Sequence, residues 1–158
     1  MRINRYAIFT ATLLVAVALS VTSAAADQHS GTWKMNPAKS KYSPGPAAKN
    51  LALTVEADEN SVKIDSQGTD GEGNPTHVQY DAKFDGKDYP VTGLSYGDMV
   101  TVKRIDANTI QTTIKKGDKV VMTVTSKVSD GGKTRTSTFK GKDAQGRAVN
   151  NVVVYDKQ

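Results

Sequence analysis

Apolar and polar residues alternate along most of this chain. Leu51, Leu53 and Val55 are separated by Ala52 and Thr54, and Val62 and Ile64 by Lys63. Val78, Tyr80, Ala82 and Phe84 alternate with Gln79, Asp81 and Lys83. The two-residue step returns at Val100 and Val102, at Ile110, Thr112 and Ile114, and at Met122 and Val124. A period of two marks a strand with one face on a core and the other in water. Turn signals punctuate these runs: Asp58-Glu59-Asn60, Gly68 to Asn74, Asp85-Gly86, Ala107-Asn108, Lys116-Gly117-Asp118, Asp130-Gly131-Gly132 and Asp143 to Gly146. Together they predict nine or ten strands, at 31–35, 50–57, 61–68, 76–85, 88–92, 98–106, 109–116, 119–129, 133–141 and 147–156. Pro37, Pro44 and Pro46 make the segment from Asn36 to Ala48 a loop with at most one short turn. Beyond residue 26 no stretch carries a helical stripe.

Short connections pair each strand with its sequence neighbour, which is a meander. A meander of this length has edges to protect, and closing on itself removes them. The expected fold is therefore all-β, a single antiparallel meander closed into an up-and-down β-barrel. A two-sheet sandwich is the alternative, but its crossovers need longer connections than these.

The first residues change the picture of compartment. Arg2 and Arg5 precede an apolar run from Ala7 to Val21, and Ala24 and Ala26 form an A-x-A site. This pattern reads as a cleavable signal peptide over residues 1–26, followed by one barrel domain over 27–158. The run is too short for a spanning helix. The expected location is periplasmic or secreted, with no stable membrane insertion once the signal is removed. The chain has no cysteine, so neither a disulfide nor a lipid-modified cysteine is available.

The net charge of +5 includes both leader arginines and is scattered over the rest of the chain. Its densest patch, Lys115, Lys116 and Lys119, surrounds a Gly-Asp turn and reads as a solvated hairpin tip. Nucleic-acid binders gather such charge on one face with interleaved aromatics, and no nucleic-acid partner is expected. Gly93-Leu94-Ser95-Tyr96-Gly97 matches the G-x-S-x-G of a nucleophile elbow, but no histidine follows His77 and no helix is expected there. Asp70-Gly71-Glu72-Gly73-Asn74 has the outline of a calcium loop, yet Pro75 stands where the sharp turn requires glycine. His29 falls in an N-terminal segment expected to fray, and His77 faces opposite to Val78 and Tyr80. Two distant histidines make no metal set. No enzyme activity, cofactor or metal is expected.

One aromatic bears on the fold. Trp33 is the only tryptophan and follows Gly31 and Thr32 at the head of the first strand. Gly-x-Trp at this place in a meander barrel resembles the calycin superfamily of lipocalins, fatty-acid-binding proteins and avidins. The stretches "DGKDYPVTG", "VKRIDANTI" and "VNNVVVYDKQ" also resemble small secreted bacterial proteins of unassigned function. The calycin resemblance implies that Gly31 and Trp33 close one barrel end, with an arginine or lysine from a late strand over the indole, a role that Arg147 or Arg135 could fill. It also implies that inward arginines with a tyrosine hold a ligand carboxylate.

Counting by two from Val100 and Val102 reaches Arg104, and counting back from Phe139 through Ser137 reaches Arg135. Both arginines thus stand on apolar-facing rows, and a guanidinium in a low-dielectric cavity pairs strongly with an anion. The alternatives are that both reach solvent at strand ends, or that Arg135 stacks on Trp33. Arg104, Arg135, Tyr80, Phe84, Met122 and Phe139 are the candidate ligand-binding residues. The expected function is that of a monomeric lipocalin-like protein holding a small hydrophobic or carboxylate-bearing ligand, with the segment from Asp88 to Gly97 as a lid. The competing expectation is a filled, ligand-free barrel of the cell envelope with a structural or interaction role.

Overall fold

A computed structural model describes residues 27–129 and 131–158. The expected signal peptide over 1–26, and Asp130 of the expected turn, lie outside the described residues. Ten strands follow in order: β1 (Gly31–Met35), β2 (Asn50–Ala57), β3 (Ser61–Thr69), β4 (Pro75–Lys83), β5 (Asp88–Thr92), β6 (Met99–Asp106), β7 (Thr109–Lys116), β8 (Lys119–Val128), β9 (Thr134–Lys142) and β10 (Ala148–Lys157). Among the described residues the helical content is one 3₁₀ turn, Pro37–Lys39, started by the Asn36 side chain accepting from the Lys39 amide.

Each strand pairs antiparallel with the next, and β1 pairs with β10 to close the barrel. The closing register sets Trp33 opposite Lys157 on one side and opposite Leu53 on the other. The period-two pattern becomes burial directly: along β7, Ile110, Thr112 and Ile114 are buried while their neighbours are half-buried or exposed. Threonine, abundant from Thr101 onward, suits this pleated, half-solvated surface. The register shifts once after Arg104 and once between Ile114 and Lys115.

The barrel has two unlike ends. At one lie the N-terminal segment 27–30, the even-to-odd turns such as 58–60 and 107–108, and the C-terminus. At the other lie the proline-rich loop 36–49 and the connections 70–74, 93–98, 117–118 and 143–147. The first end is packed solid: Trp33, Val55, Val62, Ala82, Val102 and Val128 are all buried. The second end is open, and the difference between the ends positions the candidate site.

Candidate functional site

The sealed end is built around Trp33. Its indole has no exposed surface, and its Nε1–H donates to the carbonyl oxygen of His29 at 3.0 Å. Lys157 Nζ lies 5.0 Å from the ring centroid. The cation over the tryptophan is thus Lys157, not Arg147 or Arg135. Arg147 belongs to the turn before β10, where its Nε donates to Asp143 Oδ2 at 2.7 Å and its side chain is largely exposed. The full length of β10, about 33 Å at 3.3 Å per residue, separates it from Trp33. Gly31 earns its place by contact: its φ is +131°, and a Cβ there would meet the Lys157 side chain at 2.7 Å.

His29 is not frayed. It is fully buried, wedged into the sealed end by three contacts. Its amide donates to Asp27 Oδ1, its carbonyl accepts from Trp33, and its Nδ1 accepts from Arg135 Nη1 at 2.9 Å. Because a guanidinium only donates, Nδ1 is the bare nitrogen and Nε2 carries the proton; Nε2 has no hydrogen-bond partner. Burial, then the Arg135 charge, lowers the imidazole pKa to about 4, so His29 is neutral at pH 7.

The segment is latched from outside by an ion pair. Arg104 Nη2 lies 2.5 Å from Asp27 Oδ2 and also donates to the Asp58 carbonyl, while its guanidinium stacks 4.5 Å from the Phe84 centroid. Arg104 and Phe84 therefore close the floor and are not cavity residues. Arg104 stands at the end of its inward row, where β6 leaves its register. Met122 is buried but is not part of the cavity wall.

Above the floor, the interior is not filled. A cavity of about 420 Å³ runs from Arg135 up to the loop 93–98. The β9 row grades from floor to mouth as Arg135, Ser137 and Phe139. Leu51, Val78, Val100, Ile114 and Val124 give the wall its apolar surface, and Asp70, Thr76 and Ser95 add polar groups towards the mouth. The lower wall carries Tyr80, whose hydroxyl shares a hydrogen bond with Thr112 at 3.2 Å, and the Ser126–Ser137 hydroxyl pair at 2.8 Å. Tyr155 completes this layer. Burial raises the pKa of both tyrosines, which stay protonated at neutral pH.

Arg135 is the unusual group. It is 4% exposed, and no carboxylate among the described residues forms an ion pair with it. Its Nε has no partner either. Burial pulls its pKa down, opposed by Tyr80 and Tyr155. A buried, uncompensated charge is costly, by several kcal/mol in general.

Of the six candidate ligand residues, then, Arg135, Tyr80 and Phe139 line the cavity. Sequence reasoning missed Ser126, Ser137 and Thr112 as a polar layer, although Ser137 was on the counted row. It also missed His29, for which the sequence offered no signal beyond a polar residue four places before Trp33.

The mouth loop places Leu94, Ser95 and Tyr96 over the cavity. Residues 88–92, counted with the lid, are strand β5, and Tyr89 is tied to Asp85 on the sealed side. Gly93 has a φ of +81°, and a Cβ there would overlap the His77 carbonyl. Gly97 packs against Ile114. The glycines of the G-x-S-x-G stretch are thus explained by backbone geometry. Asp70, the first residue of the calcium-like outline, spends its carboxylate on the amides of Glu72, Gly73 and Asn74. His77 is exposed and bonded to Asp65.

The arrangement is a closed ten-stranded antiparallel barrel with one sealed end and an internal cavity that is mostly apolar with a guanidinium at its floor. Comparison of the chain with family models, with curated proteins and with solved structures gives no match.

Proposed function

We propose that this protein is a periplasmic or secreted binding protein of lipocalin-like, calycin type that carries a small, partly apolar anion inside its barrel. The observation that carries the reading is Arg135, a buried guanidinium without a carboxylate partner among the described residues, at the bottom of a mostly apolar cavity with hydroxyl groups around its base. Small-ligand sites are usually apolar with a few fixed polar groups. A carboxylate is the natural complement of a desolvated guanidinium, which it meets with two parallel hydrogen bonds. The ligand enters head first, its charge on Arg135 and the hydroxyls of Tyr80 and Tyr155, its apolar part along Leu51, Val78, Val124 and Phe139. A filled barrel is disfavoured by the 420 Å³ void, which lies within the usual range for ligand sites. The leader-like residues 1–26 support the compartment, and the buried Trp33 under Lys157 supports the calycin kinship.

The test is native mass spectrometry of protein purified from its own compartment, followed by extraction. An amphipathic anion recovered from the native protein, and absent from Arg135→Met, is the expected result. Clean apo-protein, with no thermal shift across a set of fatty and aromatic acids, refutes it.

A further inference from the structure

His29 lies where the proposed ligand's charge would be felt. It reaches the bottom of the site from outside the strand framework, on the segment Asp27–Ser30. Among the described residues it is the titratable group hydrogen-bonded to Arg135. We propose that an anion bound at Arg135 is taken up together with one proton, which His29 receives. The inference rests on the reading of Arg135 as the anion site.

Geometry makes the coupling direct. In the empty barrel the bare Nδ1 of His29 is capped by Arg135 Nη1 at 2.9 Å. Two cations cannot share that contact, because a protonated Nδ1 and a guanidinium N–H would both donate. An anion on Arg135 changes both terms. It draws the Nη1 hydrogen to itself, which frees Nδ1, and it cancels the positive charge that disfavours the imidazolium. The proton comes from solvent and goes to Nδ1; no other bond is made or broken.

The surrounding charges favour this site over its neighbours. Facing His29 are Arg135 from β9, Arg104 and Asp106 from β6, and Asp27 from its own segment. Arg135 and Arg104 oppose its charge, and the two aspartates support it. Asp27 is already engaged by Arg104. Tyr80 and Tyr155 hold their protons already and have none to gain. With Arg135 neutralised, the remaining field is two carboxylates against one guanidinium. A unit charge placed on Arg135 lies close enough to His29 to move its pKa by about one to two units at the effective dielectric of such sites.

The sign follows from linkage. A ligand that raises a pKa binds the protonated form more tightly. Affinity therefore rises as the pH falls below the bound-state pKa, and levels off near the free-protein value of about 4. A carboxylate ligand would titrate in the same window, so the probe must carry a permanent charge. The sulfonate 1-anilinonaphthalene-8-sulfonate does, and its fluorescence reports transfer to an apolar cavity.

The experiment uses the whole barrel. Probe affinity is measured from pH 8 to pH 5, and the histidine C–H resonances are titrated by NMR with and without saturating probe. His77, exposed on the outer wall, is the internal reference. The expected result is an affinity about two- to tenfold higher at pH 5 than at pH 8, the span that a one- to two-unit rise from about 4 gives. The His29 pKa should rise by a unit or more on saturation. In His29→Gln, where the amide cannot titrate, the pH slope disappears. In Arg135→Met, His29 moves up towards its ordinary value and no longer responds to the probe. Binding that is lost in Arg135→Met, with an unmoved His29 and an unchanged slope in His29→Gln, overturns the proton coupling and leaves the anion site standing. Failure of the probe to bind, or equal binding by Arg135→Met, overturns the anion site and the coupling with it. If His29→Gln does not fold, the wild-type NMR titration decides alone.

Discussion

Replacing Trp33 by alanine and by phenylalanine separates what its bulk contributes from what its hydrogen bond contributes. The indole is fully buried between β2 and β10, beneath the Lys157 side chain, and donates to the His29 carbonyl. Deleting a buried large aromatic costs about 3–5 kcal/mol, through lost transfer free energy and the cavity left behind. For the 132 residues from Asp27 to Gln158, each kcal/mol corresponds to about 3–4 °C in Tm. Trp33→Ala should therefore melt about 10–20 °C below the parent. Phenylalanine keeps most of the apolar body but strands the His29 carbonyl, a loss of about 1–3 kcal/mol. Trp33→Phe should fall between the two. Urea unfolding followed by far-UV circular dichroism reads both variants on one scale. The wild type can also be followed by the emission of its only tryptophan, which should be blue-shifted when folded. A loss below about 1 kcal/mol for alanine, or equal losses for the two variants, would refute the assignment of Trp33 as the floor of the barrel.

The latch should be separable from the cavity. Asp27→Asn removes the partner of a mostly buried Arg104 and should cost about 1–3 kcal/mol in urea unfolding; no change would mean the segment 27–30 is not held by that pair. The buried histidine predicts a specific acid limb. His29 titrates near pH 4 when folded and near 6.5 when unfolded, so the unfolded state binds the extra proton between those values. Stability should decline as pH falls from 6.5 to 4, by up to about 3 kcal/mol from this group, and His29→Gln should flatten that limb. An identical pH profile in the variant would count against the buried assignment. Gly93→Ala forces a side chain onto the His77 carbonyl at positive φ and should cost at least about 2 kcal/mol by thermal melting; a neutral effect would show that the mouth loop tolerates another path.

Most of the barrel was legible because alternation, turn chemistry and the edge problem all point one way. The strand expected at 109–116 is the strand found, and those at 50–57 and 88–92 likewise. Even the inward position of Arg135 could be counted from Phe139. What could not be counted was height along the barrel. Arg104 and Arg135 stand on equally inward rows, yet one braces the floor against Asp27 and Phe84 and the other faces the void. The same blindness put a cation from the wrong end of β10 over Trp33. The register between first and last strands is set by closure, a pairing across the whole chain that no local pattern encodes. His29 was illegible for a related reason. It belongs to no strand, and its burial comes from filling a hole that exists only once the barrel is closed.

Closure also brings the last residue beside the first strand. The Gln158 amide donates to the Thr32 carbonyl at 2.9 Å, so the C-terminus emerges beside the sealed floor, where the segment from Asp27 also lies. Anything tethered through the C-terminus leaves by the back of the molecule, and the opening faces away from the anchor. A sensor surface or a bead coupled this way would leave the entrance unobstructed. In a chain cut back to start at Asp27, the same adjacency allows a short linker to join Gln158 to Asp27 and new ends to be cut at the exposed 117–118 hairpin. In that permuted chain the hardest pairing of the original, first strand to last, becomes a local turn.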